Sequence, residues 1–354
     1  MSISSPLISV VMPAFNHEKF VGAAIESVLK QSLGDLELII VNDGSRDSTE
    51  RVIRTFDDPR IRYFCQENKG AHAAINFGVS QARGRYLAII NSDDVYLEDR
   101  LERLKVVLVQ SGARLVFSDL TITDANLDPL PVDYPVVSWF ERVKGGYWQS
   151  GSLLHSLLSG NWVVTTSNLF IETSFARQLG PFANYRYTHD YDFVLRALTS
   201  CGTEGIAYCD EKLLLYRLHQ SNTVKENFIN LQRETLAVLR RHIPNLMSCQ
   251  KDRDSVGYYL AYVDEMLSQE YNLLDNFVRT RSWRFTRPLR QLVDYCQRRS
   301  SNVEDGSLGL SSLKFVFDFF LGAVSRIFVR LPFRVRICIV KSLNNFLLYF
   351  ETKS

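Results

Sequence analysis

The chain has 354 residues, 46% hydrophobic and 23% charged, enough apolar content for one large domain with a full core plus an appendage. Its 41 Lys+Arg and 39 Asp+Glu leave a formal net charge of +2, without the overall basic excess that marks a nucleic-acid-binding protein. The six cysteines show no C-x-x-C pairing and no zinc spacing, which argues against a disulfide framework and for free thiols in a reducing, cytoplasmic setting.

Met1 to Pro6 lacks a basic leader and the apolar run after it is interrupted by Pro13, so no signal peptide is expected. Leu7 to Met12, Leu36 to Asn42, Ile61 to Cys65 and Tyr86 to Asn91 read as buried strands. Between the first two, Phe20, Ala24 and Val28, with Val21 and Ile25, recur at helical spacing. Asp47-Ser48-Thr49-Glu50 resembles a capping box opening a second helix. A third helix is expected over Gly70 to Ala82, with Gly84 as its stop. This βαβ repetition predicts an α/β fold with a mostly parallel sheet covered on both faces.

The strand at residues 86 to 90 places Asn91-Ser92-Asp93-Asp94 at its carboxyl end, where open α/β sheets bind ligands. Two hard carboxylates there suit a divalent cation carrying a diphosphate on its open positions. The competing reading is a solvated turn, with Asp94 favouring the amino end of a helix that begins near Tyr96. From Pro135 to Trp162, Trp139, Tyr147, Trp148 and Trp162 among Gly145, Gly146 and Gly151 suggest a loop-rich segment on an acceptor side, or else core. His189-Asp190-Tyr191-Asp192 opens the apolar run Phe193-Val194-Leu195, so its acids would supply a base or merely favour a helix N-terminus. The second role suits Asp192.

Charge is uneven along the chain: residues 1–225 hold 22 Lys+Arg against 26 Asp+Glu, and residues 226–354 hold 19 against 13. Residues 226–310 read as a helical extension, with Gly306-Ser307 in a polar break. The basic, apolar tail 311–354 contains no uncharged stretch near the ~20 residues needed to span a bilayer. Pro332 splits it into two helices. With Arg326 and Arg330 beside Phe319, Phe320, Ile327 and Phe328, it reads as an interfacial amphipathic helix at an anionic membrane surface. Packing on the chain's own domain, or on a second copy in a homo-oligomer, is the competing reading.

No G-x-G-x-x-G follows the first strand, and neither G-x-x-x-x-G-K-[ST] nor H-E-x-x-H occurs, which weakens dinucleotide, P-loop and zinc-protease readings. What does occur, in order, is Val10-Val11-Met12-Pro13-Ala14-Phe15-Asn16, Ile40-Val41-Asn42-Asp43-Gly44-Ser45, Asn68-Lys69-Gly70, Asn91-Ser92-Asp93-Asp94, His189-Asp190-Tyr191-Asp192 and Tyr216-Arg217-Leu218-His219. This series resembles the family 2 glycosyltransferases, inverting enzymes of the GT-A fold, over roughly residues 6 to 225. The resemblance implies a GT-A-type, Rossmann-like mixed sheet flanked by helices, followed by the C-terminal helical extension. It implies a nucleotide-sugar donor, a glycan or lipid-linked glycan acceptor, and Mg²⁺ or Mn²⁺ as cofactor. Nucleic acid has no place in it.

Carried over residue by residue, the resemblance implies that Pro13, Ala14 and Phe15 line the pocket for the nucleotide base and that Asp43 hydrogen-bonds its edge. Turn chemistry alone also accounts for Asp43-Gly44. Lys69 would approach the nucleotide or its phosphates. Asn91, Ser92 and Asp93 occupy the family's Asp-x-Asp element, with Asp93 as metal ligand and Asn91 replacing the first acid. His219 matches a position that faces the metal or the diphosphate, and Asp190 matches the catalytic base. The rival from another class is a non-catalytic sugar-nucleotide-binding or membrane scaffold subunit, for which Asn91 would be a sign of decay. A nucleotidyltransferase would share the scaffold but would have no use for Asp190. Expected localisation is cytoplasmic, peripheral at the inner face of the membrane.

Overall fold

A computed structural model of the chain describes residues 5–220, 222–223 and 228–246. The described residues belong to one compact unit. The expectations for residues 247–310 and for the tail 311–354 lie outside the described residues.

The unit begins as a parallel α/β layer: β1 (Ile8–Ala14), α1 (Val21–Leu29), β2 (Leu36–Asn42), α2 (Thr49–Ile53), β3 (Ile61–Cys65), α3 (Ala71–Gln81) and β4 (Tyr86–Ile89). β1 pairs in parallel with both β2 and β4, and β2 with β3. Every residue of β1 and β2 is buried, so these strands read as unbroken apolar runs rather than alternating ones, as a sheet covered on both faces requires. Because successive strands are added first to one side of β1 and then to the other, the loops after β1 and β4 diverge. The crevice between them is where such sheets take ligands.

The second half is mixed. It comprises β5 (Val95–Tyr96), α4 (Arg100–Ser111), β6 (Leu115–Thr123), α5 (Pro135–Ser150), α6 (Leu153–Ser159), β7 (Phe170–Glu172), α7 (Thr173–Leu179), α8 (His189–Cys201), β8 (Ile206–Arg217) and α9 (Phe228–Leu246). The eight strands run in the order β3-β2-β1-β4-β7-β6-β8-β5. β7 is antiparallel to both β4 and β6, β8 runs parallel to β6, and β5 is antiparallel to β8. The register of β6 on β8 shifts at Ser118/Asp119 and again at Asp119/Leu120, which bends the sheet beside the crevice. This is the mixed, mostly parallel sheet flanked by helices that the GT-A-type expectation requires.

Several local expectations are corrected. β4 ends at Ile89 rather than Asn91, although Ile90 still donates from its amide to Val11. The helix expected near Tyr96 begins at Arg100, because Val95 and Tyr96 pair with Leu215 and Leu214 of β8. At α2 the Ser48 side chain makes no capping bond. Asp47 does that work, with Oδ1 accepting from the Thr49 amide (3.0 Å) and hydroxyl (2.6 Å), and Glu50 turns to Arg54 instead (2.8 Å).

The segment expected to be loop-rich, residues 135 to 162, is mostly the two helices α5 and α6. Pro135 sits in the first turn of α5, where its missing N–H costs nothing, and Gly151 closes it at φ 64°. Ser152 caps α6 by accepting from the His155 amide at 3.2 Å. The internal Gly145-Gly146 pair looks like a breaker in sequence, but tertiary packing overrides its weak helix propensity.

Gly84 is not the stop of α3, which ends at Gln81 with Ala82 already extended. Its role is close approach. A Cβ on Gly84 would lie 2.5 Å from the Ser9 amide nitrogen and 2.7 Å from the Ile8 carbonyl carbon, backbone that cannot move without disturbing β1. Gly84→Ala is therefore expected to destabilise the protein by at least the ~1–3 kcal/mol of an overpacked core, read as a lowered urea midpoint. A midpoint equal to that of the parent would show that β1 and the turn before β4 tolerate separation.

Candidate active site

The turn after β4 carries Asn91, Ser92, Asp93 and Asp94, and each has a separate task. The Asn91 amide N–H donates to Ser167 Oγ (2.8 Å), its side-chain Nδ2 donates to Thr165 Oγ1 (2.9 Å), and its Oδ1 accepts from Thr166 Oγ1 (3.0 Å). The amide that stands where an acid was expected thus braces the turn at Thr166–Asn168, a use that needs donor and acceptor together. Asp94 is fully buried; Oδ1 accepts from the Arg217 amide (3.0 Å) and Oδ2 from Ser167 Oγ (2.5 Å). Burial, reinforced by the charge of Asp93, pushes its carboxyl well above the usual range. It is a structural acid that ties the turn to β8 and to Ser167.

Asp93 faces the crevice at 8% exposure. Burial raises its pKa, but the hydrogen bond from His219 and the charges of His17 and His219 outweigh it and hold the carboxyl below its ordinary value. His219 Nε2 lies 2.9 Å from Asp93 Oδ2, Asn222 Nδ2 donates to the same oxygen at 3.4 Å, and His17 Nδ1 lies 4.0 Å from Oδ1. The His17, Asp93 and His219 ligand atoms all fall within 4.8 Å of one another. A carboxylate flanked by two imidazoles is a donor set that fits a divalent metal. Burial lowers the pKa of His17 despite the pull of Asp93. Ser92 Oγ sits 2.8 Å from His17 Nδ1. Arg217 flanks the group with its guanidinium 4.8 Å from the Phe20 ring centre and Nε donating to the Asp93 carbonyl at 2.7 Å.

Pro13 and Ala14 end β1 and are buried, and Phe15, just past it, is exposed at 40%. Asp43, just past β2, is buried; Oδ1 accepts from Gln66 Nε2 (2.7 Å) and the Lys69 amide (2.9 Å), and Oδ2 from the Gly70 amide (2.9 Å). The carboxylate therefore shapes the loop from which the exposed Lys69 side chain projects. It retains capacity for one more donor, since an ionised carboxylate offers about four lone-pair sites. Gly44, at φ 71°, lets the loops approach, because a Cβ there would meet the Asn68 amide nitrogen at 2.9 Å.

Asp190 lies in the first turn of α8 at 5% exposure, with Oδ2 accepting from Asn161 Nδ2 (3.0 Å) and Oδ1 from the Tyr191 amide (2.8 Å). Burial raises its pKa above that of an ordinary aspartate, against the charge of His189 and the bond from Asn161. That direction suits a base that must take a proton. Two positions on, Asp192 is also buried but is fully partnered, with Arg196 Nε at 2.9 Å from Oδ2 and His242 Nε2 at 2.9 Å from Oδ1. It ties α8 to α9. Burial, and after it the nearby carboxyl groups of Asp94, Asp93 and Asp190, push the phenol of Tyr216 up.

His17, Asn161 and Asn222 were not singled out from the sequence. His17 and Asn161 lie 76 and 29 residues from the acids they approach, and no spacing rule links such positions. Among the aromatics, Trp162 is core, 1% exposed, packed against Phe117 and Tyr208 and donating from Nε1 to Ser156 Oγ at 3.1 Å. Trp148 stays 56% exposed.

The model of the family described as Glycosyl transferase family 2 matches residues 9–147. Uncharacterized glycosyltransferases of Rickettsia typhi and Rickettsia prowazekii are each 30% identical, over 62% and 63% of this chain and 66% and 67% of theirs. The chain thus spans about two thirds of the length of these relatives. The Escherichia coli UDP-Glc:alpha-D-GlcNAc-diphosphoundecaprenol beta-1,3-glucosyltransferase WfgD is 25% identical over 64% of this chain and 83% of its own. Among solved structures, Staphylococcus aureus TarS 1-349 in complex with UDP-GlcNAc superposes with a TM-score of 0.50 at 15% identity, over 66% of each chain. That likeness is one of fold.

The contrast between the two α8 acids yields a stability test. Asp192→Ala strands Arg196 and His242 without their buried partner and should cost ~3–5 kcal/mol. The hydrogen bond from His242 and the charge of Arg196 overcome the effect of burial and depress the Asp192 pKa below 3.8. The stabilisation from this shift is full above the unfolded value of 3.8 and is lost as pH falls through the folded one. Urea titrations should show a constant gap between parent and variant from neutral pH down to that range, narrowing only below it. A gap that closes at pH 6 would assign the loss to another group.

Proposed function

We propose that this chain, which belongs to glycosyl transferase family 2, moves a sugar from a nucleoside-diphosphate donor to a hydroxyl of a glycan or lipid-linked glycan in a single inverting displacement. The observation that carries this reading is the donor set of His17, Asp93 and His219 gathered at the turn after β4, together with the buried Asp190 held by Asn161 at the start of α8. Asp93 is held anionic beside two imidazoles, and Asp190 is held with a raised pKa. One side suits the leaving diphosphate and the other the attacking hydroxyl.

In this reading Pro13, Ala14 and Phe15 form the floor for the nucleotide base, Asp43 meets its edge, and Lys69 reaches its phosphates. Asn91 and Ser92 hold the turn that presents Asp93. Asp93 and His219 would hold the divalent cation, Mg²⁺ or Mn²⁺. Bound there, it supplies charge neutralisation for the departing diphosphate, so no acid need protonate the leaving group. Asp190, oriented by Asn161 and the Tyr191 amide, accepts the proton of the acceptor hydroxyl as that oxygen attacks the anomeric carbon from the opposite face. Base catalysis of this kind is typically worth ~10²- to 10⁴-fold. Burial of Asp190 excludes competing water.

The Asn91 substitution does not favour a decayed scaffold, because the amide is fully used in bracing the turn that carries Asp93. The name of WfgD, a polyprenyl-diphosphate-linked sugar transferase, supports a lipid-linked acceptor here. Such an acceptor would bring the protein to the cytoplasmic face of a membrane. Among the described residues no helix is long and apolar enough to cross one. The proposed contact is the tail, 311–354: its deletion should release the protein from anionic vesicles, and high salt should weaken binding of the full chain. Truncated protein that still sediments with vesicles would remove the tail from the interface.

Asp190→Asn keeps the size of the side chain and one of its two accepting oxygens, and removes its basicity. Transfer should fall by about 10²-fold or more with donor and metal binding nearly unchanged, while Asp93→Ala should abolish metal-dependent donor affinity in calorimetry. Near-normal turnover by Asp190→Asn at saturating acceptor would reassign the base.

A further inference from the structure

Resting on the reading that Asp93 and His219 hold the cation, we infer that His17 is a third protein ligand, so that the chain binds a divalent transition metal of the Mn²⁺ type before any nucleotide arrives and prefers it to Mg²⁺. His17 lies in the β1–α1 loop, on the opposite side of the crevice from the β8 end that carries His219. Its Nδ1 is 4.0 Å from Asp93 Oδ1, His219 Nε2 is 2.9 Å from Asp93 Oδ2, and all three ligand atoms fall within 4.8 Å. On a coordination shell of about 2.1 Å radius, neighbouring ligands sit about 3 Å apart and opposite ones about 4.2 Å. Shifts of a few tenths of an ångström would close the triad on one ion.

The loop is built to present that ring. The His17 backbone amide donates to Thr49 Oγ1 at 2.8 Å, which fixes the loop on the start of α2. The ring stands edge-on to Phe20 at 5.9 Å and to His219 at 5.5 Å between centres. The group 2.8 Å from Nδ1 is the Ser92 hydroxyl. Donating there, it engages the Nδ1 lone pair and keeps the proton on the other ring nitrogen, and the hydroxyl must turn away before a cation can take that lone pair. A backbone carbonyl in the same place would have fixed a proton on Nδ1 and spoiled the ligand.

The donor set then decides the metal. Two imidazole nitrogens and one carboxylate suit transition metals, whereas Mg²⁺ demands oxygen ligands and gives up its water reluctantly. Three protein ligands also suffice to retain the ion without phosphate oxygens. With one carboxylate against two positive charges, and the Arg217 guanidinium beside it, the loaded site keeps a net positive charge for the incoming diphosphate. Metal first and donor second is the order this predicts.

The test uses the full chain with no nucleotide and reads binding, not turnover. Mn²⁺ titrated into the protein and followed by the loss of free-ion EPR signal should saturate at one equivalent, with Mg²⁺ displacing it only at much higher concentration. Electron spin-echo modulation of the bound Mn²⁺ should report two directly coordinated imidazole nitrogens. His17→Ala should weaken nucleotide-free Mn²⁺ binding by at least the ~10- to 100-fold that loss of an outer-shell partner alone costs, and should leave one coupled nitrogen. Because the nitrogen count is taken on the parent protein, it stands even where the variant folds poorly. A single coupled nitrogen in the parent, or Mn²⁺ bound only when nucleotide is added, would overturn the inference while leaving Asp93 and His219 in place. Unchanged Mn²⁺ binding by both His17→Ala and Asp93→Ala would instead remove the metal site itself.

Discussion

Two adjacent carboxylates, Asp93 and Asp94, are buried side by side at the end of β4, and two like charges that close in a poorly solvated place cannot both persist. The fold resolves the conflict by sorting them. Asp94, whose carboxyl burial and the charge of Asp93 push up, accepts from the Arg217 amide and Ser167 Oγ and carries structure. Asp93 keeps its charge because His219 and His17 stand against it. Much else at the crevice follows from that division: the end of β8 must reach back to supply Arg217, His219 and Asn222, and the turn at Thr166–Asn168 must supply Ser167. The antiparallel β7 between β4 and β6 is what brings that turn alongside β4.

The same economy of burial operates on α8, with the opposite sign. Asp192 is compensated by Arg196 and His242 and fastens the helix to α9, whereas Asp190 receives only neutral donors, Asn161 and the Tyr191 amide. Neutral hydrogen bonds stabilise a carboxylate less than charged ones do, so burial prevails at Asp190 and its pKa rises, while the bonds from His242 and Arg196 prevail at Asp192. Two aspartates two positions apart on a single helical turn thus have opposite settings. The helix packing that pairs Asp192 with charged partners leaves Asp190 with Asn161 and the Tyr191 amide.

The parallel half of the fold was legible in the sequence because strands buried on both faces must be continuous apolar runs, and β2 and β3 fall on the ranges read. β6 was not legible in this way. Its Leu115–Thr123 run contains the buried Asp119, held by Lys144 at 2.9 Å, and a shifted register that interrupts any simple pattern. α5 was hidden by Gly145 and Gly146, and Gly84 was read as a stop when its backbone contact with β1 is the reason for it. Of the site, Asp93, Asp190 and His219 were reached through ordered motifs. His17 and Asn161 were not, since a lone histidine or asparagine has meaning only once the β1–α1 loop and the segment after α6 are placed beside the acids. Asn91 looked like a weakened metal ligand, and only its three bonds to residues 165–167 explain why an amide stands there.

The proposed division of labour gives the leaving diphosphate to Asp93 and the attacking hydroxyl to Asp190. The most direct measurement is diffraction from crystals soaked with Mn²⁺ and a nucleotide sugar, with data collected at the manganese edge. The account predicts one anomalous peak bridging Asp93, His219 and the diphosphate, with the face of the anomeric carbon opposite the leaving oxygen turned toward the Asp190 carboxylate. A peak remote from Asp93, or a sugar whose reactive face is closed off from Asp190, would contradict it.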